Sequence, residues 1–417
     1  MVPNGWEFTT FENHIDLLSG FAFKSAQYTE KIDDIRLLRG DNIAPNTLRW
    51  DGVKTWDKHQ YAELQKYHLR EHDFVIAMDR TWVSSGLKVA EVTKNDLPCL
   101  LVQRVARIRA LPTLEQSLLR QYFSSYRFEQ YVKGVQTETA VPHISSKQIK
   151  EFSLLLPPLP EQREIAKILS TWDKAITATE KLIETSKQQK KALMQQLLTG
   201  KKRLGIESGS YSFQKTRYGD IPQDWEYPSI REICTQFTQK NLDNKELPVL
   251  SCSKHLGFVD SLKYFKKKVY SDDTSGYKVI PLNFFGFPSN HIEEGSIGLQ
   301  RVYDYGIVSP IYVIFQSDRK RVDNEYLFSV LKTEHYRQIF CAATNASVDR
   351  RGSLRWKEFS AIHVPLPPLE EQQKIAAVLK AADKEIELLE AKLAHFKQEK
   401  KALMQQLLTG KRRVTLE

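Results

Sequence analysis

Residues 156–203 read LPPLPEQREIAKILSTWDKAITATEKLIETSKQQKKALMQQLLTGKKR, and residues 366–413 read LPPLEEQQKIAAVLKAADKEIELLEAKLAHFKQEKKALMQQLLTGKRR. The offset is 210 positions without a gap, 28 of 48 positions agree, and residues 190–201 and 400–411 are identical. A repeat of this kind sets the architecture before any local reading does. The stretches ahead of each copy, 1–155 and 204–365, share almost nothing beyond Gly5-Trp6-Glu7 against Asp224-Trp225-Glu226. The chain therefore divides into a globule (1–155), a helical spacer (156–203), a second globule (204–365) and a second helical spacer (366–417). Matching helices beside diverged globules imply that the helices do one job twice and the globules do two different ones. Recombination between the helical segments alone would leave the same pattern without that meaning.

Each copy carries the local signals of one long helix. Pro157, Pro158 and Pro160, and Pro367 and Pro368, suit a helix start and not its interior. Residues 161–199 contain neither Pro nor Gly, and Gly200 and Gly410 follow where a left-handed residue ends a helix. At 1.5 Å per residue such a helix is about 58 Å long. Steps of four and three pick out Ile165, Leu169, Trp172, Ile176, Thr179, Ile183, Ser186, Lys190, Leu193 and Leu197 in the first copy. The second gives Ile375, Leu379, Ala382, Ile386, Leu389, Leu393, Phe396, Lys400, Leu403 and Leu407. Such a series is a coiled-coil seam. Lys190 and Lys400 interrupt it at equivalent places, either as a register device or as tolerated long side chains whose charged ends reach water. Two equal helices in one chain pair most simply antiparallel, giving a pseudo-twofold α+β molecule of two globules alternating with two long helices.

The 417 residues are too many for one compact core, and 41% hydrophobic with 27% charged residues fits folded domains. Sixty-one Lys and Arg against 51 Asp and Glu leave a net charge of +10, compatible with a nucleic-acid or other anionic partner. That excess is uneven: the globules sum to +1 and +2, and the helical spacers to +5 and +2. Cys99, Cys234, Cys252 and Cys341 lie far apart with no zinc-type spacing, so neither a metal site nor a disulfide framework is expected. The first twenty residues lack the apolar segment of a secretory signal, and no apolar run is long enough to span a bilayer. A reducing cytoplasm is the expected setting.

Within the globules, apolar runs at Phe74–Ala77, 88–92 and 100–108, and at 278–282, 296–302 and 307–315, read as strands. Helical patterns fall late in each, at 114–132 and 324–340. Both globules read as α+β with similar layout. Local basic groups are Arg104, Arg107 and Arg109; Lys266, Lys267 and Lys268; and the clusters at 319–321 and 350–355. Polar loops supply residue types that hydrogen-bond base edges: Arg80, Thr81, Ser84 and Ser85; Gln136, Thr137 and His143; Asn290 and His291; Gln300, Arg301 and Tyr303; and Arg350, Arg351 and Arg355. Every surface turn draws on the same types. Met194, Gln195 and Leu198, with Met404, Gln405 and Leu408, match between the copies although they lie off the seam. They read as an external surface used twice for a partner helix, or as positions covered by the globule bases.

The sequence contains no Gly-x-x-x-x-Gly-Lys-Ser/Thr phosphate loop, no Gly-x-Gly-x-x-Gly and no Asn/Asp-Pro-Pro-aromatic run of the kind that amino-methyltransferases use. No catalytic residue is expected.

Two unlike globules, each followed by a Leu-Pro-Pro-Leu…Glu-Gln start and a Leu-Leu-Thr-Gly end, resemble the specificity subunit of type I restriction–modification systems. The matching residues are 156–162 and 366–372, with Leu197-Leu198-Thr199-Gly200 and Leu407-Leu408-Thr409-Gly410. The Gly-Trp-Glu start and the Ile-Pro-x-Asp-Trp-Glu start fit as well. Glu370 replaces the proline found at Pro160, and a glutamate is favourable in a first helical turn. The resemblance spans essentially the whole chain. It implies two target recognition domains, each reading one half of a bipartite double-stranded DNA site across an unread spacer. It also implies a subunit without chemistry of its own or a cofactor of its own. Two methyltransferase subunits would bring S-adenosylmethionine, and motor-nuclease subunits would bring ATP and Mg²⁺. The competing readings are a coiled-coil scaffold with two protein-binding globules and an enzyme carrying its own site.

Overall fold

The computed structural model describes residues 2–207, 209–254, 256–345 and 353–416. The chain forms two compact units: Met1–Lys181 together with Glu390–Glu417, and Leu182–Leu389. Two 39-residue helices, Leu159–Leu197 and Leu369–Leu407, each contribute a piece to both units. Pro160 lies in the first turn of its helix, where its missing N–H has no partner to lose. Gly200 and Gly410 follow the helix ends with φ of +68° and +66°. A side chain at Gly200 would strike Pro222, and one at Gly410 would strike Pro3, so both positions need glycine twice over.

The first unit is built on a four-stranded antiparallel sheet. Its order is Val89–Glu91, Phe74–Ala77, Val105–Ala110 and Ile15–Ser19. The run expected at 100–108 is two strands, Cys99–Leu101 and Val105–Ala110, because Arg104 adopts φ +65° and turns the chain between them. Cys99–Leu101 pairs parallel with Ile35–Leu38 in a smaller sheet. The helices Gln116–Phe123 and Tyr126–Val135 pack Leu118, Leu119, Phe123 and Phe128 onto the sheet with Phe11 and Phe74. Glu7–Thr10 pairs antiparallel with Ser153–Leu156, which brings the chain start beside the first long helix.

The second unit repeats this plan with other residues. Its sheet runs Cys234–Phe237, Tyr312–Ser317, Phe285–Pro288 and Gly298–Leu299, again antiparallel throughout. The expected strand at 296–302 contracts to Gly298–Leu299, because Gln300 folds back on its own loop. The helices Asn324–Leu331 and Glu334–Asn345 follow. Glu226 and Leu366 exchange backbone hydrogen bonds of 3.0 and 2.9 Å, the counterpart of the Glu7–Leu156 pair.

Inside each unit the two long helices run antiparallel. In the first, Asp173 meets Lys400 and Glu180 meets Lys397, so residues ascending one helix pair with residues descending the other. Trp172 and Phe396 meet edge to face at 5.7 Å. In the second, Lys190 meets Asp383 at 2.5 Å. Both seam lysines therefore sit against an aspartate of the other long helix.

Candidate nucleic-acid interface

In the first unit, the loop after the buried strand Phe74–Ala77 meets the loop before Ser146–Lys150. Asp79 and His143 form an antiparallel bridge, the Arg80 N–H donates to the Pro142 carbonyl at 2.6 Å, and the Ile144 N–H to the Met78 carbonyl at 2.9 Å. Arg80 is exposed, with φ +47°. Ser84 and Ser85 are exposed at the tip of the hairpin formed by Trp82–Val83 and Gly86–Leu87. The Trp82 indole N–H donates to Glu129 at 3.2 Å, and the Lys133 ammonium lies 4.2 Å from its ring centre, which holds the hairpin on the helix behind it. Thr137 Oγ1 lies 2.9 Å from His143 Nδ1 and accepts from the His143 N–H at 3.1 Å. Gln136 is half-buried, and its Oε1 has no hydrogen-bond partner among the described residues. All seven nominated residues of this unit thus lie on two adjoining loops, and six of them are at least partly exposed. Thr81 is the exception: it is fully buried, and its hydroxyl is held by the carbonyls of Ala77 (2.7 Å) and Met78 (3.1 Å), so it shapes the turn and presents nothing outward.

The second unit makes the equivalent junction. The loop after Phe285–Pro288 carries Asn290 and His291, and the Leu354 N–H donates to the Ser289 carbonyl at 2.8 Å, which brings in Arg355. Arg355 and His291 are exposed, and Asn290 is half-buried with Oδ1 unpartnered among the described residues. Arg350 and Arg351 lie outside the described residues.

The Gln300–Tyr303 loop corrects its sequence reading. Gln300 is fully buried; its amide N–H groups donate to the Tyr303 and Ile280 carbonyls, and its Oε1 accepts from the Val302 and Tyr303 N–H groups. Nothing of it remains for a base edge. Arg301 grips Glu325 through two nitrogens, and its guanidinium lies 4.9 Å from the Phe328 ring centre. The Tyr303 hydroxyl donates to Asp260 at 2.8 Å and accepts from Lys263 at 2.9 Å. Arg107 and Arg109 are likewise engaged inside the first unit, against Asp16 and Asp73.

The helix ends also correct their sequence reading. Leu198 is 4% exposed within the core of the second unit, and Met404 and Leu408 are 8% and 6% exposed within that of the first. Met194 is half-buried against the same second core. The globule bases cover these residues, which explains why they match off the seam. Gln195 and Gln405 remain exposed, each on the rim of a cleft within its own unit. The first cleft is also lined by Tyr126, Arg127 and Lys401, and the second by Lys191, Tyr218 and Tyr227.

The Glu-Gln pair that opens each helix has a role not read from the sequence. Glu161 accepts from the Trp6 indole N–H at 3.1 Å and from Arg413, whose guanidinium lies 5.6 Å from the Trp6 ring centre. Glu371 accepts from Trp225 at 3.3 Å and from both forks of Arg203 at 2.6 and 2.9 Å. Glu371, together with Asp224, which accepts from the same guanidinium at 2.7 and 2.8 Å, holds Arg203 above its ordinary range of ionisation. Gln162 donates to the carbonyls of Thr113 and Pro157 and accepts from the Glu115 N–H at 2.8 Å. Gln372 does the same with Arg321, Pro367 and the Asp323 N–H. The repeated motif thus locks each globule to the start of one helix and the end of the other. The matched Trp6 and Trp225 were the available signal.

Burial pushes the Cys99 and Cys234 thiols up to about 12, far from a reactive thiolate. His291, Glu293 and Glu294 place ligand atoms within 4.8 Å of one another, but on a largely solvent-facing turn. No helix of the described residues is long and apolar enough to cross a membrane.

Each unit thus combines an antiparallel four-stranded sheet, two helices that follow it in the chain and a section of both long helices. Residues 3–187 and 222–398 match the family described as type I restriction modification DNA specificity domain, and the chain belongs to that family. It is 37% identical over 191 residues to the type I restriction enzyme EcoAI specificity subunit of Escherichia coli, an alignment covering 45% of this chain and 31% of that one. It is 29% identical over 314 residues to the MjaVIII specificity subunit of Methanocaldococcus jannaschii, covering 70% of each. The fold is similar to that of the crystallised type I restriction–modification S subunit from M. genitalium, with a TM-score of 0.58 at 13% identity over 100% of this chain and 99% of that one. A second solved chain, from work on complex assembly and conformational transition of the type I system, gives 0.55 at 16% identity, covering 99% of this chain and all of that one.

Proposed function

We propose that this chain is the DNA-reading subunit of a type I restriction–modification complex, with one half of a bipartite duplex site read by each unit. The observation that carries the reading is the same junction made twice. In each family-matched unit, a buried central strand delivers a polar loop against the loop that precedes the next helix. The two junctions carry different side chains, Arg80, Ser84, Ser85, Gln136, Thr137 and His143 in one and Asn290, His291 and Arg355 in the other, as two different half-sites require. The chain performs no chemistry and holds no cofactor. Its partners are two methyltransferase subunits supplying S-adenosylmethionine and, through the complex, motor-nuclease subunits supplying ATP and Mg²⁺. The cleft edges at Gln195 and Gln405, set in identical sequence, are the docking points for two copies of one partner.

Electrophoretic mobility shift of the full chain on duplex DNA at two salt concentrations tests the reading. Phosphate binding weakens steeply as salt rises. A salt-sensitive, sequence-dependent shift supports it, and a chain that binds no duplex at low salt refutes it in favour of a protein scaffold.

A further inference from the structure

Residues 262–269 of the second unit, LKYFKKKV, are all exposed. Leu262, Tyr264, Phe265 and Val269 keep 51, 47, 43 and 46% of their surface in water. An apolar group this dense on a surface marks a contact site. Lysines 263, 266, 267 and 268 fill the positions between.

The local backbone displays them. Asp260 caps the turn Ser261–Phe265 by accepting from the Lys263 N–H at 3.0 Å, and Lys266 ends it in the left-handed region at φ +55°. The Tyr264 and Phe265 rings meet edge to face at 5.0 Å. Lys263 donates to the Tyr303 hydroxyl at 2.9 Å, which fastens the turn to the Gln300–Tyr303 loop, itself tied internally by Gln300. Lys268 is neutralised by Asp272, whereas Lys266 and Lys267 make no ion pair among the described residues. The acids on this face are Asp260, Asp272 and Asp273.

We infer that this turn is a DNA contact of the second unit: Lys266 and Lys267 take backbone phosphates while Tyr264 and Phe265 pack as an apolar wedge against a base step. The inference rests on the DNA-reading function proposed above and adds a site that the polar-loop reading missed. A lysine run suits a polyanion, whereas protein interfaces are depleted in lysine. Apolar side chains flanked by cations are the means by which proteins pry base steps apart.

The test uses the full chain, a duplex selected by it from a random pool, and an unrelated duplex of equal length. Lys266→Ala with Lys267→Ala should weaken binding to both duplexes about tenfold and lower the log–log salt slope by about two, one phosphate contact per lysine. Tyr264→Ala with Phe265→Ala should abolish the rise in fluorescence of 2-aminopurine scanned through the bound half-site while leaving the salt slope unchanged. These side chains are exposed, so circular dichroism melting should match the parent. Wild-type affinity, slope and fluorescence in both variants, with the parent chain still binding DNA, would overturn the wedge alone. Loss confined to anionic-vesicle binding or to partner capture would overturn it in favour of a membrane or protein contact. A parent chain that binds no duplex would overturn the DNA reading itself, and the wedge with it.

Discussion

Arg413 and Glu161, 252 residues apart in sequence, are joined by charge-assisted hydrogen bonds, and Trp6 donates to the same carboxylate. Arg203, Glu371 and Trp225 form the same trio in the second unit. A carboxylate at the start of one helix therefore receives an arginine from just beyond the end of the other, with a tryptophan from the start of the globule closing the group. Both carboxylates are nearly buried, at 6 and 9% side-chain exposure.

Glu371→Ala should be costly, because it leaves the Arg203 side chain, 3% exposed, without its main partner. Removing one member of a buried pair costs on the order of 3 kcal/mol. That corresponds to a fall of about 6–12 °C in melting temperature for a unit of this size. Arg203→Lys should recover little, since an ammonium cannot reproduce the fork. Scanning calorimetry of both variants checks this.

Leu198→Ala and Leu408→Ala should each lose about 2–4 kcal/mol, as buried leucines do. Glutamate at either position should unfold its unit. Gln195→Arg and Gln405→Arg should leave denaturation midpoints unchanged and each remove one partner subunit, read by light scattering on size-exclusion fractions. Loss of stability in the glutamine variants would contradict their surface placement.

Lys400 is nearly buried beside Asp173, which also accepts from Gln121 at 2.7 Å. Burial lowers the Lys400 pKa despite that partner. Lys400→Met should destabilise by about 2–3 kcal/mol, because Asp173 is left unpaired. Adding Asp173→Asn, which keeps the acceptor for Gln121, should restore most of the loss. The unfolded chain holds the Lys400 proton to higher pH than the folded one, so its share of stability rises as pH climbs from the folded pKa towards 10.5. Lys88, Lys278 and Lys332, also lowered by burial, contribute to the rise in both proteins, so chemical denaturation across that window should show a steeper rise in the parent than in the double variant.

The helices and the α+β layout were legible because periodicity and the repeat act locally: the 161–199 span and both terminal glycines match the structure within a residue or two. The strands at 74–77 and 278–281 were legible for the same reason. Thr81 and Gln300 were misread because a polar side chain in a turn looks the same whether it faces water or caps its own backbone. Leu198 and Leu408 were misread because burial under a globule base leaves no trace in helical periodicity. The Glu161–Arg413 and Glu371–Arg203 pairs link residues too distant in sequence for any local pattern to join.

The most direct test of the central claim, one half-site per unit, is to exchange residues 1–155 for those of another family member and map the sites modified by the assembled complex. The account predicts that one half-site changes and the other is retained. A change in both halves, or general loss of sequence dependence in a chain that still folds and assembles, would contradict it.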